Sequence, residues 1–186
     1  MNEILKVLIR ILPFLVILLV IKIRLKQKKI TTAELDLQEP NSIKKYFIWC
    51  VSFLLFCLIT EYVLSLNGML EVGKRSFNLI PSVLKIIGMV LIAPIAEELI
   101  YRGLFLNKLI SLKINKHAAI FIIALIFVGV HSFTFENTLS SKIGIAQTFI
   151  DASLFSYARL STKSIYTPIT MHIMGNLIAT LEIFLL

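Results

Sequence analysis

Charge is scarce in this chain. Only 16% of its residues are Asp, Glu, Lys or Arg, against about 25% in an ordinary soluble domain. Hydrophobic residues make up 58%, and the mean hydropathy is +0.88. One small core has no room for so many apolar side chains, and such a composition excludes disorder. Seven glycines in 186 residues exclude a collagen-like chain, in which every third residue is Gly. Cysteine is nearly absent too. Cys50 and Cys57 lie seven apart in one apolar run. A helix separates such a pair by about 10.5 Å, too far for a disulfide. They read as small core residues, and no cysteine-based zinc spacing accompanies them. The polar-apolar alternation of a membrane barrel is missing, as is any internal repeat.

What remains is an integral membrane protein. The expected fold is all-α: a polytopic transmembrane helical bundle of about six spans. A span needs about 20 mostly apolar residues. The first candidate runs from Ile4 to Ile23 and is the weakest, because it carries Lys6, Arg10 and Pro13. A signal peptide or an interfacial helix competes with it. Against a signal peptide, the run ends in KIRLKQKK with no small-residue cleavage site. A polar linker is expected from Gln27 to Lys45, with Pro40 inside it. Further spans are expected at Tyr46 to Leu66, Leu79 to about Leu106, Lys116 to beyond His131, Ile143 to Leu160 and Ile165 to Leu186. A short loop, Asn67 to Asn78, separates the second and third. Residues 1–45 then form an N-terminal helix and cytoplasmic linker, and residues 46–186 the core.

The net charge is +8. Its basic residues flank apolar runs, which points to a membrane surface and not to nucleic acid. Most of them fall in the first linker and at its edges from Lys22 on, around Lys108 to Lys116, and at Arg159 and Lys163. These three loops are expected in the cytoplasm, with both termini outside if all six helices span.

Ionisable groups near the bilayer centre cost about 2.5–3.5 kcal/mol on insertion scales, so each needs a partner or a role. Three clusters stand out. In the first, Glu98 and Arg102 are four apart and share a helical face. Glu97 is rotated about 100° from Glu98 and is expected to point separately. In the second, Phe127 and His131 are four apart. In the third, His172 and Asn176 are four apart. Each alone has a bland reading: a solvated ion pair, an interfacial histidine, interhelical hydrogen bonding. Helix-end counting scatters their depths about the midplane. Together they suit amide hydrolysis. Glu97 can take a proton from water, and imidazole and carboxamide groups can stabilise an oxyanion. Alternatively Glu97, His131 and His172 hold Zn²⁺ with one position open, although the HExxH pattern is absent. His117, beside Lys116, reads as interfacial. Gln147 and Asp151, four apart in the fifth span, either line a cavity or bond helix to helix. Glu61, Lys85 and Glu182 sit towards helix ends, where snorkelling or aqueous contact suffices.

The ordered set EELIYR, FVGVH and HIMGN resembles the CPBP family, the CAAX protease and bacteriocin-processing group also called Abi. The likeness covers about Leu79 to Leu186, with Tyr101 where relatives often have Phe. The resemblance implies a helical membrane fold with a cavity open towards the cytosol. It implies that Glu97 activates water, that Glu98 and Arg102 organise or assist the site, and that His131, His172 and Asn176 complete it. Both a metal-dependent mechanism, with zinc, and a metal-free glutamate mechanism are argued for the family. The expected function is an intramembrane endopeptidase acting on a peptide or membrane-protein substrate, in bacteriocin processing or self-immunity. The alternative is a non-proteolytic bacteriocin immunity protein acting by binding. The bilayer is the other expected partner.

Overall fold

The computed structural model describes residues 2–69, 79–131 and 138–185, and the side chains of all of these except 79, 140 and 182–185. Most of the expected loop from Asn67 to Asn78 therefore lies outside the described residues. Among those described, the chain forms six helices and no strand.

Helix α1 is Glu3–Lys26 and α2 is Ile43–Leu66. Both are long and apolar enough to cross a membrane. Side-chain caps start them: Asn2 Oδ1 accepts from Ile4 N–H at 3.0 Å, and Ser42 Oγ accepts from Lys45 N–H at 3.3 Å. Such caps satisfy N–H groups that have no intrahelical partner. Helix α4 is Lys116–Val130, α5 is Leu139–Thr162 and α6 is Tyr166–Leu185.

Between α2 and α4, residues 79–111 form one continuous helix, α3, in which two wide π turns, Ile87–Ile92 and Leu99–Phe105, interrupt the α pattern. It outruns the expected end near Leu106 by five residues. Pro94 does not break it, because the first π turn makes room. Ala93 N–H already reaches back five residues to Gly88 O. The next donor in that register is Pro94, which has no N–H. The carbonyl of Met89 is therefore left for a partner outside the helix. The fourth helix departs from expectation in the other direction. It stops at Val130, and His131 is an extended cap with φ −69° and ψ 112°.

Three apolar clusters bind the bundle. Tyr101, Leu106, Ile120, Ile123 and Phe127 join α3 to α4, with Ala119, Ala124 and Ala152 letting α4 and α5 approach closely. Cys50, Phe53, Cys57, Phe155 and Met171 join α2, α5 and α6. Both cysteines are buried free thiols. Ile21, Leu35, Leu99 and Ile165 fasten α1 and the first linker to α3 and α6. The outward faces of α1 and α2 stay apolar, with Leu12 57% and Ile59 61% exposed. In a bilayer such faces meet lipid tails.

The first linker is a docked strap. Leu35 is fully buried, and a Cβ on Gly103 would come within 3.0 Å of its Cδ2. Asp36, at φ 49°, pairs through Oδ2 with Arg159 Nη2 at 2.8 Å. Arg159 also donates to Asn107 Oδ1 at 2.6 Å, and Asn107 Nδ2 donates to the carbonyl of Glu34. Ile165 N–H donates to Asp36 O at 3.0 Å, Asn41 N–H to Thr162 O at 2.9 Å and Ser164 Oγ to Gln38 O at 2.6 Å. The strap thus ties together the basic ends of α3, α5 and α6.

Candidate active site

The site is built around a buried cation. Arg102, in the second π turn, is fully buried. Its Nη1 donates to Glu98 Oε1 at 2.7 Å, Nη2 to Ala152 O at 2.9 Å and Nε to Ser156 Oγ at 3.4 Å. Its guanidinium carbon lies 4.8 Å from the Phe127 ring centre and 5.3 Å from that of Phe155. A rigid planar fork can meet three acceptors and two ring faces at once, which an ammonium cannot. The pairing expected from the four-residue spacing is present, and it is wholly desolvated: neither Glu98 nor Arg102 has exposed side-chain surface.

His172, on α6, meets the same carboxylate. Its Nδ1 is 2.9 Å from Glu98 Oε1. That oxygen already accepts from a guanidinium, so it is a carboxylate oxygen and can only accept. The network therefore places the His172 proton on Nδ1. Nε2 then faces Glu97, with Oε2 3.7 Å away. The ring stacks on Phe155 at 5.0 Å and meets the edge of Phe127 at 5.9 Å. Two consecutive carboxylates therefore stand at two edges of one imidazole. Of the pair, Glu97 keeps 16% of its side-chain surface exposed and Glu98 none.

The other two expected residues stand further out. His131 is partly buried, its Nδ1 donates to Phe127 O at 2.8 Å, and its ring lies 4.2 Å from that of Phe127. Asn176 Nδ2 donates to Met89 O at 2.8 Å. This is the carbonyl that Pro94 leaves without a helical donor, so Asn176 stitches α6 to the π turn of α3.

His131, His172 and Asn176 line a cavity of about 270 Å³, together with Phe127, Phe155, Glu61, Gln147 and Asp151. Glu97 is not in this lining; it stands at the Nε2 edge of His172, which is. Both readings of Gln147 hold together: it lines the cavity, and its Nε2 donates across to Glu61 Oε1 at 3.1 Å. Glu61 is correspondingly turned inward and does not snorkel. Its Oε2 is buried. Along α2 the cavity residues Cys57 and Glu61 lie about 21–27 Å from the strap end, and along α5 Gly144 to Asp151 lie about 16–27 Å from it. Other lining residues, His172 on α6 and Phe155 on α5, lie about 9–11 Å from the same end, so the cavity reaches well into the bundle.

Among the described residues, no three His, Cys, Asp or Glu side chains group as metal ligands do. Glu97, His131 and His172 do not close into the three-donor set considered for zinc, and no step below is routed through a metal. Sequence reading missed Ser156 and the Ala152 carbonyl as acceptors for Arg102. Their four-residue spacing on one face of α5 was the available signal.

Residues 79–178 match the family described as Type II CAAX prenyl endopeptidase Rce1-like. That stretch is more than half of the chain and contains all six candidate site residues. With two helices of membrane-crossing length, it makes this a membrane protein. No curated protein and no solved structure matches the chain.

Proposed function

The chain belongs to the Type II CAAX prenyl endopeptidase Rce1-like family, and on that premise we propose that it is a multi-pass endopeptidase of the cell membrane, with water activated by Glu97. The observation that carries this reading is the placing of Glu97 and Glu98 at two edges of the His172 ring. Arg102 occupies Glu98. Glu97 is the carboxylate left with accessible surface.

The water proton passes to Glu97 as the water oxygen bonds to the scissile carbonyl carbon, and the carbonyl electron pair moves to oxygen. Collapse of that intermediate breaks the C–N bond, and the amine leaves with the proton returned by Glu97. His172, fixed by Glu98, turns its Nε2 edge to Glu97 and orients it. An amide has two N–H bonds, so Asn176 retains one for the oxyanion after serving Met89. Such a donor contributes about 10²–10³ in rate. Phe127 and Phe155 keep bulk water from the ring.

The substrate is a peptide or membrane protein, and the biological setting is bacteriocin processing or self-immunity. The test is cleavage of membrane-embedded peptides by purified protein in liposomes, read by mass spectrometry. Glu97→Gln should abolish cleavage without loss of folded protein. Undiminished bacteriocin protection in cells expressing Glu97→Gln would favour an immunity protein that acts by binding.

A further inference from the structure

We propose that the cavity beside His172 is a specificity subsite for a basic side chain of the substrate, with Asp151 and Glu61 as its anionic determinants. This rests on the endopeptidase reading above and names its substrate class.

The cavity lined by His131, His172 and Asn176 is also lined by Glu61 from α2 and by Gln147 and Asp151 from α5, the last two on one helical face. Gln147 holds Glu61 by one oxygen. The second oxygen of Glu61 and Oδ1 of Asp151 are shielded from solvent and have no hydrogen-bond partner among the described residues. Carboxylates so placed in a membrane interior call for a cation. Among the described residues the lining supplies no arginine or lysine. Arg102, close by, is already committed to Glu98, Ala152 and Ser156. The volume, about 270 Å³, holds far more than a single water. Phe127, Phe155 and Ile178 add apolar surface. An aliphatic stem ending in a charge fits such a chamber: the apolar wall takes the stem, the carboxylates take the tip.

Two measurements test this. The first offers the protein in liposomes a degenerate library of membrane-embedded peptides. The expected result is enrichment of Lys or Arg at one position near the cleaved bond. Asp151→Asn should bring the ratio of basic to neutral cleavage down about tenfold, the scale of one close charge pair, chiefly through KM. Asp151→Glu should keep the preference. The second needs no catalysis. Glu97→Gln protein in detergent is melted with n-butylguanidinium or with uncharged n-butylurea. The guanidinium should raise the melting temperature, and Asp151→Asn or Glu61→Gln should remove the rise. Cleavage without a basic preference, or equal effects of the two compounds, would overturn the subsite and leave the protease standing. A carboxylate-dependent guanidinium shift without any cleavage would keep the cation site and overturn the protease.

Discussion

Nδ1 of His172 stands 2.9 Å from Oε1 of Glu98, and that single oxygen also takes the guanidinium of Arg102 at 2.7 Å. A buried ion pair thereby sets the tautomer of a candidate catalytic imidazole. This division of labour, with Glu98 structural and Glu97 chemical, yields distinct expectations for neighbouring residues.

Removing Arg102 should unfold the protein before it disturbs chemistry. Arg102→Ala strands Glu98 as a buried unpaired charge, a loss of about 3–5 kcal/mol. Melting in detergent, followed by tryptophan fluorescence, measures it. Arg102→Lys should fall between, since an ammonium cannot reach Glu98, Ala152 and Ser156 together.

Glu97→Gln should separate from this pattern. Glu97 makes no short hydrogen bond to His172 and keeps exposed surface, so the melting temperature should hold. Peptide cleavage should fall by about 10²–10⁴, the usual contribution of a general base. Equal losses of stability in Glu97→Gln and Glu98→Gln would remove the distinction.

Asn176 and Pro94 should be coupled. Asn176→Ala leaves the Met89 carbonyl without its donor, at about 1–3 kcal/mol. Pro94→Ala returns a backbone N–H in the π register. The double variant should therefore lose less stability than the sum of the single variants. Strict additivity in a double-mutant cycle would show that Pro94 has nothing to do with the role of Asn176.

The strap should behave as part of the core. Leu35→Ala removes a fully buried side chain and should lower stability by about 2–5 kcal/mol. Asp36→Ala takes the partner from Arg159, which is almost wholly buried. Limited proteolysis should then cut within residues 27–42 in both variants well before it cuts the parent protein.

Much of the fold is legible in the chain because lipid leaves the backbone few options. Every peptide group must be satisfied inside its own segment, so each apolar run of sufficient length becomes a helix. The starts and stops are less legible. Pro94 reads as a breaker, and only the π turn before it shows why the helix continues to Ser111. The strap reads as a polar linker, because its side chains are polar. Its contacts are with residues about 70–130 positions away, which no local pattern carries.

The sequence by itself determined that the chain is helical and membrane-bound, that Glu98 and Arg102 share a face, and which six polar residues to watch. Short-range spacing and hydropathy suffice for that. Tertiary structure decided the rest: that Glu97 and Glu98 stand at two edges of one ring, that Asn176 serves Met89, and that Glu61 and Asp151 close the cavity with carboxylates. Each of those outcomes depends on how one helix is rotated against another. That rotation is set by packing of residues far apart in the chain, such as Phe53 on Phe155 and Tyr101 on Phe127.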